Sequence, residues 1–199
     1  MFGGRTRTST ASRCRRGQHH LCTKQLILRH PTADDATIAV TGASDDAAQR
    51  WLGWLPRDIV REQHRAAYLA QRPGQGSRRW SNSPGQWLLV AIHHASDRIA
   101  GGVVLDKVRH EVGGWLAPAF RARGLGRELF EGAAIFAHHH LGVATVRAGT
   151  EVANTACVGA LTSAGFIEDT GPDHHQLPNG RTVSARWFRH DAEYPTTCR

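Results

Sequence analysis

The chain has 199 residues, 40% of them hydrophobic and 21% charged, enough for one ordinary globular core and too few for two large ones. Its longest apolar runs, such as residues 87–92, are strand length and fall well short of the roughly 20 residues a membrane-spanning helix needs, which excludes a helical channel or transporter. The formal charge of +8 is concentrated: residues 1–29 hold Arg5, Arg7, Arg13, Arg15, Arg16, Lys24 and Arg29 without one acid, leaving 18 basic against 17 acidic residues in the rest. A basic nucleic-acid-reading field on the folded part is therefore not expected, and contact with nucleic acid would run through the leader.

Residues 1–22 are rich in Arg, Ser, Thr and Gly without apolar periodicity, so they read as a disordered leader. They lack the apolar centre of a secretory signal; the Arg and Ser content superficially fits an organelle transit peptide, but no amphipathic pattern accompanies it. Arg exceeds Lys by 23 to 2, which suggests a GC-rich coding sequence and a leader lying upstream of the functional start. Cysteines at 14, 22, 157 and 198 match neither paired zinc ligands nor a dense disulfide framework, so reduced thiols in a cytoplasmic protein are expected. The 13 histidines include runs at 138–140 and 174–175 but no HExxH, and the triple run falls at a helix end, where cations suit the dipole, so no metal site is expected.

The folded domain is expected over residues 23–190, with 191–199 as a tail. Gln25 to Arg29 reads as a first strand closed by Pro31. Asp34 and Asp35 open a helical stretch that reaches Trp51, Leu52 and Trp54 before Pro56, and a second helix runs from about Arg57 to Gln71, ended by the cluster at 73–77. Trp87 to His93 and Ile99 to Val108 read as strands joined by the polar turn 94–98, and Glu111 to Leu116 is a third. A helix from about Gly126 to His140, a strand from Val143 to Ala148, a helix from Asn154 to Ala164 and strands near Phe166 and at Thr182 to Arg189 follow. This order predicts a layered α/β domain with a mixed sheet.

Between Leu116 and Phe130 a strand ends, a Pro turn follows, and Gly124 and Gly126 sit where a helix begins. Small residues there let backbone N–H groups approach an anion, and Arg121, Arg123 and Arg127 add positive potential, so a phosphate group is the natural guest. A Walker A loop would need Gly-Lys-Ser/Thr where Arg127 and Glu128 follow Gly126, and a dinucleotide fingerprint would need Gly at 129, which is Leu129.

The pattern Arg121-x-x-Gly124-x-Gly126 after a strand and a Pro turn resembles the pyrophosphate loop of the GNAT acetyltransferases. The segment Asn154-x-x-Cys157-x-x-Ala160-Leu161-x-x-Ala164-Gly165-Phe166 is similar to the next helix of that family. Ala48-Gln-Arg-Trp51-Leu-Gly-Trp54 resembles its RimJ/RimL type, which includes ribosomal-protein and other amine acetyltransferases. The resemblance covers roughly residues 24–190. It implies a three-layer domain with a mixed, largely antiparallel central sheet flanked by helices, and direct transfer of an acetyl group from acetyl-CoA, as co-substrate, to a primary amine, either a protein N-terminal α-amine or a small molecule. It further implies that the backbone of Gly114, Trp115 and Leu116 pairs with the pantetheine arm, that Ala122, Arg123, Gly124, Leu125, Gly126 and Arg127 cradle the pyrophosphate beside Arg121, and that Asn154 contacts the cofactor. A homodimer is an expectation of the same kind.

Direct transfer demands a neutral amine, a stabilised oxyanion and a protonated leaving thiolate. An α-amine, with a pKa near 8, needs less help from a base than lysine near 10.4. A backbone N–H at Leu116 or a neighbour is the oxyanion candidate. Glu111, the only carboxylate in the strand leading to the loop, is the candidate base, directly or through water, although a Glu at a strand start is often only a solvated edge residue. Some relatives carry a Tyr where Leu161 stands, and RimL-like relatives often carry a Ser where Cys157 stands; a thiol is a weak donor yet could sit beside the departing sulfur. His93, His94 and His110 lie near strand ends and could line the acceptor cleft, and Trp51, Trp54, Trp80 and Trp87 are core or cleft-wall candidates. The missing Tyr and Ser leave a second expectation, a domain that binds acyl-CoA for regulation with little catalysis.

Overall fold

The computed structural model describes residues 20–72 and 85–193. In it a short hairpin of β1 (His20–Cys22) and β2 (Leu26–Arg29) leads to α1 (Ala33–Thr41), α2 (Asp46–Leu52) and α3 (Ile59–Gln71). The meander β3 (Gln86–His93), β4 (Arg98–Asp106) and β5 (Glu111–Leu116) follows, then α4 (Leu125–Ile135), β6 (Thr145–Glu151), α5 (Thr155–Ser163), β7 (Ile167–Asp169), β8 (His174–Gln176) and β9 (Thr182–Asp191). The sheet runs β1-β2-β3-β4-β5-β6-β9-β7, with β8 on β9, and every neighbouring pair is antiparallel except β5 with β6. This is the mixed, largely antiparallel α/β architecture the sequence predicts.

The near-continuous apolar run of β3 is explained by burial on both faces. Successive strand side chains point to opposite faces, and Leu89 and Ala91 join the core under α4 while Leu88 packs with α1 and α3. The α1–α3 layer holds Ala36, Val40, Ala66 and Leu69 against Leu88; the opposite layer sets Leu125, Leu129, Phe130 and Ala133 of α4 and Leu161 of α5 against Leu105, Val112, Val146 and Phe166.

Local sequence sets most helix starts. Thr32 and Asp35 form a reciprocal capping box at α1, Asp45 caps α2 by accepting from Ala48 N, and the Asn154 side chain caps α5 by accepting from Cys157 N. The helical stretch expected from Asp34 through Trp54 is two helices, because Gly42 caps α1 and the Asp45 carboxylate starts a new one. The long helix expected to reach His140 changes character after Ile135, residues 136–140 forming a π turn in which His138 Nε2 lies 3.0 Å from His190 Nδ1.

Two boundaries move and one strand is added. The leader expected to end at 22 gives up its last three residues, since β1 pairs with β2 and the Glu128 carboxylate on α4 accepts from Thr23 Oγ1 at 2.6 Å and Gln25 N at 2.7 Å. Burial alone would raise the Glu128 carboxyl, but these hydrogen bonds prevail and hold it below its usual value. Strand β9 extends to Asp191, one residue beyond the expected domain end, and β8 is an additional strand. The rest of the leader, the cluster at 73–77, Trp80 and the residues after 193 lie outside the described residues. Among the described residues no helix is long and apolar enough to cross a membrane, and no group of His, Cys, Asp or Glu is placed to hold a metal ion.

Candidate active site

Among the described residues strands β5 and β6 are the one parallel pair, and they share a single register pair, Glu111 with Arg147, before they part. The direction of the remaining β5 peptide groups follows from two bonds. Arg147 N donates to His110 O on the β6 side, and Ala117 N donates to Ala100 O on the β4 side. Peptide groups alternate along a strand, so Gly114 and Leu116 present theirs to the opening while Gly113 and Trp115 face β4. A Cβ on Gly101 would lie only 2.0 Å from Trp115 O, which places that carbonyl against β4.

The opening leads to the start of α4, which no side chain caps. Ala122 has φ 57° and Gly124 φ 76°, both in the left-handed region, and a Cβ on Gly124 would meet no atom within 4 Å. The loop is therefore an exposed backbone bend at the positive end of a helix dipole, a setting that favours an anion. Gly126 has a different reason to be small: a Cβ there would lie 3.0 Å from Ala160 Cβ, so it allows α5 to pack close. Leu125 is a core side chain and offers the groove only its backbone.

The arginines of the loop divide. Arg123 and Arg127 are exposed, with Arg127 3.8 Å from Glu131. Arg121, expected beside the pyrophosphate, is committed to the protein: Nε donates to Leu116 O at 2.9 Å, and Nη1 and Nη2 donate to the Asp45 carboxylate at 2.8 and 2.7 Å. Trp115 likewise departs from expectation, because its backbone pairs with Gly102 on β4 and its indole Nε1 donates to Ala39 O at 2.9 Å while packing edge-on to Trp54. It contributes wall, not peptide groups, to the groove.

Two connected hollows meet at this point. A groove of about 210 Å³ runs along Gly114, Trp115 and Leu116 to Gly126, walled by Ala47 and Ala48 of α2 and Ala156, Cys157 and Ala160 of α5. A cavity of about 400 Å³ lies beyond it, lined by Glu111, Gly113, Arg65, Asp106, Glu151, His175 and Trp187, among others. Trp51, Leu52, Gly114, Phe130, Asn154 and Cys157 line both, so they mark the junction.

The carboxylates of the cavity differ in their engagements. Asp106 accepts from Val108 N and Arg109 N at 3.0 and 2.9 Å, and Glu151 pairs with Arg181 at 3.3 Å. Glu111 has no side-chain hydrogen bond or ion pair among the described residues, which leaves its carboxylate available in the cavity. Arg65 is bound to Glu62 at 3.3 Å and to Gln86 Oε1 at 2.7 Å. Burial pushes the Cys157 thiol up, against a smaller opposing effect of a hydrogen bond with Thr150, which favours the protonated form at neutral pH. The Asn154 oxygen is used as the helix cap, and the residue lines both hollows.

Of the residues singled out from sequence, Glu111 lines the cavity and Gly114, Cys157 and Asn154 lie at the junction, whereas most of the far wall was not anticipated. His93, with Nδ1 3.0 Å from Ser96 Oγ, and His94 and His110 do not line the hollows; His175 does. Trp187 was missed as well. Its indole is fixed by Nε1 donating to Pro172 O at 2.9 Å, by the Arg147 guanidinium 5.0 Å from the ring centre, and by Gly149 and Gly171, where a Cβ would come to 3.0 and 2.3 Å of the ring. Glycines at 149 and 171 were the only local trace of that ring, and they cannot be linked to it without the fold.

The family model of the acetyltransferase (GNAT) domain matches residues 25–167. Among solved structures, spermidine N-acetyltransferase from Vibrio cholerae in complex with CoA and spermine is similar at 16% identity and a TM-score of 0.67, over 85% of this chain and 96% of that one. A GNAT-family acetyltransferase from Bacillus anthracis shares 12% identity over 86% and 98% of the two chains with a TM-score of 0.66, and the ribosomal-protein-S5-alanine acetyltransferase from Vibrio fischeri 12% over 86% and 96% with 0.63. No sequence among curated proteins matches this one. The chain belongs to the GNAT acetyltransferase family, resembles its RimJ/RimL type, and is an acetyl-CoA-dependent N-acetyltransferase with acetyl-CoA as co-substrate.

Proposed function

We propose that this GNAT acetyltransferase moves an acetyl group directly onto a primary amine, a small-molecule amine or a protein N-terminal α-amine, bound in the cavity beyond the β5–β6 opening, and that it does so in the cytoplasm. The observation that carries the reading is the junction: Gly114, Asn154 and Cys157 border both the groove that ends at an uncapped helix start and the cavity that holds an unengaged Glu111.

In this reading the outward carbonyl of Gly114 and the outward N–H of Leu116 hold an extended pantetheine arm, and the backbone of Ala122 to Arg127, with the Arg123 and Arg127 side chains, receives the pyrophosphate. The co-substrate supplies an activated acetyl group as a thioester. Glu111 takes the proton of the incoming amine, directly or through water. Gly114 N–H, at the junction and two residues before Leu116, donates to the carbonyl oxygen as charge develops there. As the C–N bond forms and the C–S bond breaks, the Cys157 S–H donates a weak hydrogen bond to the departing sulfur, and the thiolate then takes its proton from water. Asn154 keeps Cys157 in place through the cap of α5.

The test begins with thermal denaturation of the full chain with and without acetyl-CoA, since a ligand that binds only the folded state raises its stability by mass action. A clear upward shift is expected. It is to be followed by a panel of spermidine, an aminoglycoside and a peptide with a free N-terminus, scored by release of the coenzyme thiol. No shift at saturating acetyl-CoA, or no turnover with any amine, would overturn the reading.

A further inference from the structure

Arg121 stands first in the loop pattern, yet its guanidinium joins two protein segments. One side holds Leu116 O at the end of β5, and the fork grips both carboxylate oxygens of Asp45. A bidentate arginine–carboxylate pair fixes angle as well as distance. Asp45 in turn caps α2, 3.3 Å from Ala48 N. One side chain thus ties the groove edge of the sheet to the first turn of α2.

The far end of α2 is tied as well, to the segment that lines the cavity. Arg181 Nη1 donates to Arg50 O at 3.2 Å while its Nη2 reaches Glu151 on β6 at 3.3 Å. Gly53, which ends α2 with φ 68°, has Leu177 and Pro178 against it, and a Cβ there would come to 2.5 Å of Leu177 Cβ. Between these ties, Ala47 and Ala48 line the groove and Trp51 and Leu52 line both hollows.

We propose that Arg121 is a positioning residue and that α2, held by it, couples the two hollows, so that filling the groove against Ala47, Ala48 and Trp51 fixes the helix that forms the near wall of the acceptor cavity. This rests on the acetyltransferase reading above. The competing role for Arg121, direct grip on a phosphate, predicts different consequences for the same substitutions.

The experiment uses the full chain, coenzyme A as the probe, and the variants Asp45→Asn, Arg121→Lys and the double. Asn retains a capping oxygen and Lys retains the charge, so both keep the fold while losing the bidentate grip. Titration calorimetry gives coenzyme A affinity, and hydrogen exchange gives the response of the amides at 46–52. Wild type is expected to slow these amides by about fivefold or more on binding. Each single variant is expected to lose most of that response with little change in affinity, and the double to lose no more than either single, because the two residues act as one unit. With the amine that turns over fastest in the panel, the same variants raise the acceptor KM by roughly fivefold and leave the acetyl-CoA KM unchanged. If Arg121→Lys weakens coenzyme A while Asp45→Asn does not, Arg121 is a phosphate ligand and the proposal falls. Coenzyme A binding with an equal α2 response in all four proteins overturns the coupling alone; no binding by wild type overturns the acetyltransferase reading and the coupling with it.

Discussion

The groove and the cavity are built from different materials. The groove is walled by α2, α4 and α5, but its working parts lie in the short stretch 114–127 and are backbone: a strand edge that parts from β6, a left-handed bend and an uncapped helix start. The cavity is assembled from α2, α3, the β3–β5 meander, α4, β6, α5 and the β8–β9 hairpin, and its working parts are side chains. Backbone geometry tolerates many side chains, so the groove can persist while sequence drifts. Side chains gathered from so many elements can be exchanged singly, so on the proposed function the cavity is where acceptor choice resides.

The largest effect expected on this contrast strikes the support of the groove. Leu129 is 2% exposed beneath the loop, and Leu129→Ala should lower stability by about 2–5 kcal/mol in denaturant unfolding. Glu111→Gln should reduce kcat about a hundredfold with unchanged coenzyme A affinity; an unchanged kcat would hand the base role to another cavity group, His175 being the nearest in kind. Gly124→Val asks a β-branched residue to adopt a left-handed φ, and should weaken coenzyme A roughly tenfold in calorimetry while the fold persists.

Smaller effects follow. Cys157→Ala should lower kcat by about a few-fold, within the range of one weak hydrogen bond, with no acetylated enzyme by mass spectrometry in either protein; the raised thiol pKa also makes Cys157 slow to alkylate at neutral pH. The smallest effect concerns neither hollow. Burial, and then the neighbouring His138, hold His190 below its ordinary value, so the unfolded chain takes up this proton first as pH falls below about 6.5. Stability should decline through that window, and His190→Asn should flatten the decline in melting curves taken between neutral and mildly acidic pH.

Much of the groove was legible because its determinants are local. The glycines at 124 and 126, the Asn154 cap and the strand ending at Leu116 each follow from a short window of sequence and steric or capping chemistry. The same locality hides the partner of Arg121: a cation beside a phosphate loop reads as a phosphate ligand, and only the fold brings Asp45, 76 residues earlier, within 2.7 Å. Trp115 misled in a related way, since strand alternation turns its peptide groups to β4 once the register with Gly102 is set.

The sequence by itself determined the layered α/β class, the order of nearly every element and the backbone of the groove, since periodicity, caps and glycine positions act over a few residues. The tertiary structure alone decided that β1 belongs to the sheet, that Trp187 stands in a cradle of Gly149 and Gly171, and that α2 is tied at both ends. Those outcomes depend on pairings across tens of residues, where register and packing, not local preference, choose each partner.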